Sequence, residues 1–553
     1  MNRHYDIAIV GSGFAGSLLA MIARRLGRSV VLIERGRHPR MVIGESSTPL
    51  TNLMLEELAT RFDLPTIKPL SKWGTWQQAH PDVACGLKRG FTFYHHALEQ
   101  PAPFPPDRNN QLLVAASPHD RIADTHWYRA DFDHLFVREA QKLGVTYLDE
   151  TTLTDITESD DEITLTGTRN QRKSDRFVCE KKGCHSDPER AERVEGEEPP
   201  HFARSCDDPP EKTDVTLSAK FVVDASGPHG FLHRALNLKE RPLPNFPATQ
   251  ALYSHFTGVG RIGSSTQDQP PYPPDSAAVH HIFDGGWIWL LHFNNGITSA
   301  GIAATDTLAA RWNLAEGEAA WQRILRDIPA LREQFATAKA VQPFRHILRL
   351  SFRSATITGK RWALLPSAAG FVDPLLSTGF PLTLLGIDRL ATIIERDWES
   401  HRFAPNLETY AAQTDADLLA ASRLIGSLYA NMDNFPVFAS LSHLYFAVAS
   451  FSETARRLNK PHLAPSFLLH DHPQFGPACI RLYERARQLH TTHESTQLSE
   501  DILRTIEPFN VAGLGNPQRR NWYPVEAQDL LDSAAKLDAT REDIQQLLHS
   551  CGF

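Results

Sequence analysis

The sequence predicts an α/β fold that combines a Rossmann-type dinucleotide-binding domain, an antiparallel β-sheet domain and a C-terminal helical region. Three observations support this prediction. A strand-like run, a glycine-rich turn and a helical pattern follow one another at the N-terminus. Strand-like runs alternate with turns over residues 246–350. Amphipathic helical patterns dominate from residue 393 onward.

The composition is that of an ordinary globular protein. Of the 553 residues, 41% are hydrophobic and 22% are charged, and the formal net charge is -8. These values predict no nucleic-acid partner, which would require clustered excess Lys and Arg. We expect no membrane span, because no long uninterrupted apolar run occurs. The six irregularly spaced cysteines and the lack of a signal-peptide pattern lead us to expect a cytoplasmic protein with reduced thiols.

The first element is a nucleotide-binding fingerprint. The apolar run YDIAIV at 5–10 predicts a buried parallel strand, GSGFAG follows at 11–16, and the next ten residues have helical periodicity. Gly11 permits a tight turn, Gly13 lets a pyrophosphate approach the backbone, and Gly16 lets the helix pack closely on the strand. A second strand ends at Glu34, which suits the ribose hydroxyls of a dinucleotide.

Later segments indicate which dinucleotide is bound. A strand over 220–227 ends in DASG, and a strand that begins at 361 runs into a small-residue turn. The turn LLSTG then opens a helix over 375–390, while Arg129 precedes an amphipathic helix that ends at Gly144. Together these segments resemble the FAD-binding modules of the flavin monooxygenase fold.

Within that fold, the chain resembles the flavin-dependent halogenases, the group that includes the tryptophan halogenases. The likeness covers 1–400 and rests on four stretches. GSGFAG at 11–16 is the first, and IGESSTP at 43–49 resembles the strap between the flavin and substrate sites. WIW at 287–289 resembles the signature WxWxIP, and FVDPLLSTG at 371–379 resembles the segment beside the flavin where halide binds.

The resemblance implies a definite chemistry. Reduced FAD and oxygen form a C4a-hydroperoxide, halide converts its distal oxygen to hypohalous acid, and this oxidant travels through a tunnel to a lysine. The lysine passes chlorine or bromine to an electron-rich aromatic, which is phenolic or of another kind and either free or bound to a carrier protein. The residues implied to contact FAD are Gly11, Gly13, Phe14, Ala15, Gly16, Glu34, Arg35, Glu45, Ser46, Arg129, Gly370, Asp373 and Phe380.

The halide and tunnel residues each have a plainer alternative. Thr378 and Gly379 offer backbone N–H groups at a helix N-terminus, which favours an anion, but the same residues also suit an ordinary helix cap. Trp287 and Trp289 point to one face of a strand. They are either core residues or the wall that separates flavin from substrate.

Lys88 is the predicted relay lysine. It stands in the strand-like run CGLKRGFTFY at 85–94, and a buried lysine amine has a lowered pKa that suits it to accept electrophilic halogen. A lysine between Leu87 and Arg89 also suits a solvated surface strand, and Lys72 is a rival candidate.

The chain departs from the family pattern at three points. Leu376 stands where the tryptophan halogenases carry a glutamate, which favours a phenolic substrate over an indole. His292 replaces the proline of the signature, and Pro366 and Ser367 precede the small-residue turn where many flavoproteins have Gly-Asp. A flavin monooxygenase or hydroxylase, or another FAD oxidoreductase on the same fold, is therefore the alternative function. A flavin-binding protein without activity is a third.

These inferences divide the chain into four parts. We predict the first part of the FAD module over 1–170, a disordered charged insertion over 171–213, the rest of the module with the substrate sheet over 214–392, and a substrate-capping helical region over 393–553. Cys179, Cys184 and His185 in the insertion lack zinc-type spacing, so we predict no metal site. Because no second nucleotide fingerprint occurs, we expect a separate flavin reductase to supply FADH2, unless NAD(P)H binds without a motif.

Overall fold

The structure is a computed structural model that describes residues 3–98, 108–171, 211–262 and 269–553. Its strands, numbered in chain order, are β1 Arg3–Val10, β2 Val30–Ile33, β3 Cys85–Lys88, β4 Gly90–His95, β5 Gln111–Ala115, β6 Asp124–Trp127, β7 Thr146–Leu148, β8 Thr151–Glu158, β9 Ile163–Gln171, β10 Glu211–Asp224, β11 Thr249–Thr257, β12 Ala278–Phe283, β13 Gly286–His292, β14 Ile297–Thr305, β15 Lys339–Ala340, β16 Arg345–Ile347, β17 Phe352–Arg353, β18 Trp362–Leu364, β19 Gly370–Phe371 and β20 Trp522–Tyr523.

The helices are numbered in the same way. They are α1 Phe14–Arg25, α2 Pro49–Arg61, α3 Trp73–Ala79, α4 Arg129–Lys142, α5 Phe231–Ala235, α6 Asp306–Trp312, α7 Glu318–Asp327, α8 Pro329–Gln334, α9 Pro366–Ala369, α10 Gly379–Asp397, α11 Phe403–Tyr429, α12 Phe435–Arg457, α13 Phe475–Ala486, α14 Thr492–Ile506, α15 Ala527–Asp532 and α16 Arg541–Cys551.

The first sheet is the Rossmann-type core. Its strand order is β7-β2-β1-β10-β9-β8, with β18 also paired to β10. The central strands β2, β1 and β10 are parallel, and Val10 lies opposite both Ile33 and Asp224. Because the carboxyl ends of parallel strands meet at one edge, the glycine turn after β1, Glu34 after β2 and the DASG segment after β10 converge there.

The predicted insertion lies, except for its ends, outside the described residues. At those ends β9 continues to Gln171 and β10 begins at Glu211, so 171 and 211–213 belong to strands. The two strands pair in antiparallel fashion, with Thr164 opposite Ser218 and Gly167 opposite Val215. Strands β9 and β10 therefore continue a short way into the charged stretch that the sequence alone assigned to the insertion.

The second sheet has the order β15-β11-β14-β13-β12-β4-β5-β20, with β16 also paired to β11. We predicted an antiparallel sheet, and the strands from β11 to β14 confirm this for their part. The β4–β12 and β5–β20 pairs are parallel, however, which makes the sheet mixed. Strands separated by a long stretch of chain have room for the crossover that parallel pairing requires.

The C-terminal region is helical, as predicted, and it packs on the rest of the fold. Helix α12 packs against α2 and α14, while α11 packs against α10. Phe435–Arg457 is the one described helix that is long and apolar enough to cross a membrane. Its most apolar window is 78% buried inside the protein, as in a core helix of a folded domain.

Candidate active site

One large cavity runs from the carboxyl edge of the first sheet to the second sheet. Its volume is about 670 Å³, within the range of pockets that enclose a cofactor. Its walls come from the glycine turn, the strap, the DASG segment, β11 to β13 and the turn before α10. The predicted residues that line it are Gly11, Gly13, Phe14, Ala15, Glu34, Arg35, Glu45, Ser46, Arg129, Trp287, Trp289, Gly370, Asp373, Thr378, Gly379 and Phe380.

The glycine turn is shaped to receive phosphate groups. Gly11 has φ +101°, a left-handed conformation that side chains avoid, and a Cβ there would lie 2.6 Å from the carbonyl oxygen of Ala225. A Cβ on Gly16 would overlap the carbonyl oxygen of Gly11. Gly16 lies outside the cavity wall and lets α1 approach the turn. Gly13 precedes the first turn of α1 and leaves the helix N-terminus open to the cavity.

Glu34 lies at the edge of the sheet with its carboxylate already oriented. Its Oε2 accepts hydrogen bonds from the Ser12 N–H at 3.1 Å and from Arg40 at 3.0 Å, and Oε1 accepts from the Gly36 N–H at 3.0 Å. Burial opposes ionisation, but Arg40 and the backbone N–H groups hold the pKa of Glu34 below its usual value. The carboxylate is therefore anionic and suits a ribose diol.

Arg129 connects the fingerprint to the strap. Its guanidinium makes a bidentate pair with Asp133 at 2.8 Å, and its Nη1 donates to the Gly44 carbonyl at 2.7 Å. The paired groups are almost fully buried. Asp133 also accepts from the Phe14 N–H at 3.2 Å. One arginine thus holds the start of α1 and the strap in a fixed relation.

The strap makes a second buried polar contact. Glu45 Oε1 lies 2.7 Å from Nε2 of His255 on β11, and both side chains are buried. The other carboxylate oxygen, Oε2, is buried without a hydrogen-bond partner among the described residues. Since Glu45 lines the cavity, this oxygen is available to a bound molecule.

Lys88 is completely buried, which decides against a solvated position. Its Nζ donates to Ser46 Oγ at 2.9 Å and to the Ser47 carbonyl at 2.5 Å, and it stands 3.8 Å from the centre of the Phe91 ring. Burial lowers the pKa of Lys88, and the carboxyl group of Asp124 opposes that shift. Lys88 does not itself line the cavity, but its partner Ser46 does.

Lys72, the rival lysine, lies in a different environment. Its Nζ pairs with Glu56 at 2.8 Å, and its side chain is 25% exposed. Its hydrogen bond goes to Glu56 on α2 and not to the strap. The structure therefore distinguishes Lys88 from Lys72 by burial and by contacts.

The two tryptophans face the cavity together. Their ring centroids are 5.7 Å apart, and both rings are buried. Trp287 Nε1 donates to Asp373 Oδ1 at 3.1 Å, while the Tyr429 hydroxyl donates to Asp373 Oδ2 at 2.9 Å. Burial raises the pKa of Asp373 to about 7. This network joins β13, α11 and the turn before α10.

His292, at the altered end of the signature, has a structural position. It is buried, its Nδ1 lies 3.0 Å from the Thr298 hydroxyl, and it is not part of the cavity wall. It lies opposite Thr298 in the antiparallel pairing of β13 with β14.

The turn before α10 has an unusual backbone. Leu376 and Ser377 both have positive φ, at +61° and +55°, which turns the chain sharply ahead of Thr378. Thr378 is buried, and helix α10 begins at Gly379. A Cβ on Gly379 would come no closer than 3.9 Å to other atoms, so space remains above this helix N-terminus. The strained turn aims the helix start at the cavity.

Some lining residues had no sequence motif to reveal them. Tyr253 and His280 belong to strands whose alternating pattern is shared by many sheets, and Arg40 lies in an irregular segment. Other residues of the site lie behind the cavity wall and pair with residues distant in the sequence. Asn52 pairs with Asp124, and His255 pairs with Glu45. A single sequence shows no local pattern for such contacts.

One cluster has the residue types of a metal site. His229, His233 and Glu240 bring ligand atoms within 4.8 Å of one another. Arg349 already pairs with the Glu240 carboxylate at 2.5 Å, and Arg234 lies close to His229. Positive charge on both sides disfavours a cation, so we assign no metal to this cluster.

Comparisons with known proteins agree with this geometry. Residues 9–60 match the family model of the NAD(P)-binding Rossmann-like domain. The chain is 27% identical over 478 residues to tetracycline 7-halogenase of Kitasatospora aureofaciens, covering 83% of this chain and 75% of that protein. It is 25% identical over 387 residues to 1H-pyrrole-2-carbonyl-[peptidyl-carrier protein] chlorinase of Pseudomonas fluorescens, covering 69% and 74%.

The fold also matches solved structures. Halogenase PltM, crystallised with phloroglucinol and FAD, superposes with a TM-score of 0.74 and 21% identity, covering 93% of this chain and 99% of that one. This likeness confirms the predicted fold class, and the curated relatives confirm the predicted resemblance. The chain is therefore a flavin-dependent enzyme with the fold of the flavin-dependent halogenases.

Proposed function

We propose that this chain is an FADH2-dependent halogenase that chlorinates or brominates an electron-rich aromatic, most simply a phenol, either free or bound to a carrier protein. One observation supports this proposal above the others. A fully buried lysine, Lys88, bonds to the strap residue Ser46, and Ser46 shares one cavity wall with Thr378, Gly379 and Trp287. This arrangement supports a route from the proposed halide position, past Trp287, to the Lys88 amine.

The residues present fit FAD. The cavity has the volume for it, glycines leave room for phosphates at one end, and Glu34 suits the ribose. When bound in its reduced form, FAD would supply hypohalous acid from oxygen and halide. The predicted contacts from Arg35, Glu45, Arg129, Asp373 and Phe380 remain proposals for how the isoalloxazine and ribityl parts are held.

The protein's own groups would then guide the oxidant. The N–H groups of Thr378 and Gly379, at the N-terminus of the long helix α10, attract halide. Trp287 and Trp289 keep a bulky aromatic away from the flavin and leave space for a small molecule. Their fixed positions matter because water or a misplaced ring would consume the oxidant.

Lys88 would complete the transfer. Its amine nitrogen forms a bond to the halogen as the O–halogen bond breaks, and the amine proton and hydroxide leave as water. The aromatic ring then takes the halogen and loses its own proton, which restores the amine. Burial favours the neutral amine that this step requires.

Two relatives bear on the substrate. PltM was crystallised with phloroglucinol, a phenol, and the chlorinase of Pseudomonas fluorescens acts on a carrier-bound pyrrole. Leu376 is buried and offers no carboxylate to activate an indole. These facts support a phenolic substrate and leave both free and carrier-bound forms open to test.

We also propose a separate flavin reductase as partner and the cytoplasm as location.

The test is halide-dependent product formation. Purified protein with FAD, a flavin reductase, NADH and oxygen is given chloride, bromide or neither, and phenols and carrier-tethered aromatics are assayed by mass spectrometry. We expect halogenated products that disappear in Lys88→Met and persist in Lys72→Met, with FAD binding unchanged in both. NADH oxidation by the protein without the reductase would contradict the proposed partner.

Hydroxylation is the second candidate, and one observation favours it. Lys88 does not line the cavity in which the flavin would sit. Direct transfer of oxygen from the flavin to a substrate in that cavity would therefore need no lysine. Hydroxylated products that form without halide and survive Lys88→Met would establish this reading and refute the halogenase proposal.

A further inference from the structure

Lys88 has a buried acidic neighbour that the sequence did not reveal. Strands β3 and β6 pair in antiparallel fashion, and Lys88 lies directly opposite Asp124. Residues opposite each other in such a pair project to the same face, with Cβ atoms roughly 5 Å apart. Lys88 is completely buried and Asp124 is only 6% exposed, so both share one water-poor space.

Only one of the two carboxylate oxygens of Asp124 accepts a hydrogen bond among the described residues. Its Oδ1 accepts from the Asn52 amide at 2.9 Å, while Oδ2 is buried without a hydrogen-bond partner among the described residues. The ammonium of Lys88 is meanwhile directed to Ser46 and Ser47 on the strap. The hydrogen bonds of Asp124 and Lys88 go to other groups, so Asp124 acts on Lys88 through its charge.

The other groups around the pair come from three elements. On α12, Tyr445, Glu453 and Arg457 face Asp124. On the Lys88 side, His126 of β6 and His280 of β12 are both driven to their neutral forms by burial and by the lysine charge. Asp124 is thus the carboxylate that acts directly on the charge of Lys88.

We propose that Asp124 is the positioning residue that sets how much of Lys88 carries a proton at working pH. The proposal rests on the proposed role of Lys88 in halogen transfer. The pair has two forms of equal net charge, ammonium with carboxylate and amine with carboxylic acid. In the first form the ammonium donates to the strap, and in the second the nitrogen has a free lone pair for halogen.

The consequence is a link between the strap and the amine. Ser46 lines the flavin cavity and accepts from Lys88, so the charge that Asp124 maintains also holds the strap to β3. Burial penalises both ions and lowers the pKa of Lys88 while raising that of Asp124. The charged and the neutral form of the pair therefore lie close in free energy near neutral pH, and both carry the same net charge.

The test is a direct titration of Lys88 in Asp124→Asn. The substitution preserves volume, and its side-chain oxygen still accepts from Asn52, so folding is retained. Lysine labelled with ¹³C at Cε is followed by NMR from pH 5 to pH 11, and Lys88→Met identifies the Lys88 signal. Loss of a nearby opposite charge is expected to lower the Lys88 pKa by about one unit or more.

The matched control is Glu453→Gln, which removes a carboxylate that faces Asp124 from α12. We expect a much smaller shift in the Lys88 pKa for this variant. In halogenation assays, the limb of the pH–rate profile due to Lys88 should move to lower pH in Asp124→Asn, whichever form of the lysine is active.

The outcomes separate the two proposals. A Lys88 pKa that is unchanged in Asp124→Asn, or that shifts equally in both variants, overturns the role of Asp124. A shift confined to Asp124→Asn supports it, and this result does not depend on any halogenated product. Absence of halogenation with the shift intact would refute the proposed function while leaving the charge coupling established.

Discussion

Asp373 offers a prediction that follows from its burial. The carboxyl group is 2% exposed, and burial raises its pKa from 3.8 to about 7 against three hydrogen bonds that favour the anion. The folded state therefore prefers the neutral acid more than the unfolded chain does. This stabilisation is complete below the unfolded-state pKa and is lost as pH rises through about 7.

The size of the effect follows from the shift. A difference of about three pKa units at about 1.36 kcal/mol per unit corresponds to about 4 kcal/mol over the whole titration. Roughly 3 kcal/mol of this should be lost between pH 4.5 and pH 8. In Asp373→Asn the contribution is absent, and the side-chain oxygen can still accept from Trp287. The variant should therefore gain stability relative to the native protein as pH increases.

The assay is urea unfolding followed by tryptophan fluorescence at several pH values for the native protein and Asp373→Asn. Tyr429→Phe serves as a matched variant, because loss of the hydroxyl that donates to Oδ2 should raise the pKa of Asp373 further and move the loss of stability to higher pH. Parallel pH profiles for the native protein and Asp373→Asn would refute the reasoning, since they would show that Asp373 stays ionised.

Two further predictions concern close packing. Gly16→Ala should abolish FAD binding in an absorbance titration, because the new Cβ would overlap the Gly11 carbonyl. FAD binding at native affinity in this variant would show that close packing at the turn is not required. In Gly301→Ala, the new Cβ would overlap the indole of Trp289 and displace it. This variant should form less halogenated product at unchanged FAD affinity. Full activity would contradict the proposal that Trp289 helps to separate the flavin from the substrate.

The sequence was sufficient for the parts of the site that depend on local order. The fingerprint at 11–16 dictates strand, turn and helix through the conformations its glycines allow, and the structure places that turn at the sheet edge. The strap and the STG turn were instead identified through the family resemblance, which can be seen because each is continuous in the chain. Lys88 was harder, because its neighbours Leu87 and Arg89 gave no sign that it is buried.

The missing parts depend on contacts between distant segments. The pairing of β3 with β6 brings Asp124 opposite Lys88, and the parallel pairing of β4 with β12 brings His280 to the cavity. Such registers are fixed by the whole sheet, so a single sequence contains no local pattern for them.

The two tryptophans show how local and distant information combine. Spacing alone placed Trp287 and Trp289 on one face and favoured core packing as the explanation. The structure shows that they are both buried and at the cavity, and that Trp287 is tied to Asp373 in the turn that carries Thr378. A buried indole N–H needs a hydrogen-bond partner wherever it lies, and for Trp287 that partner is a carboxyl of the proposed halide segment. That hydrogen bond makes the position of the wall depend on the same turn that is proposed to hold the halide.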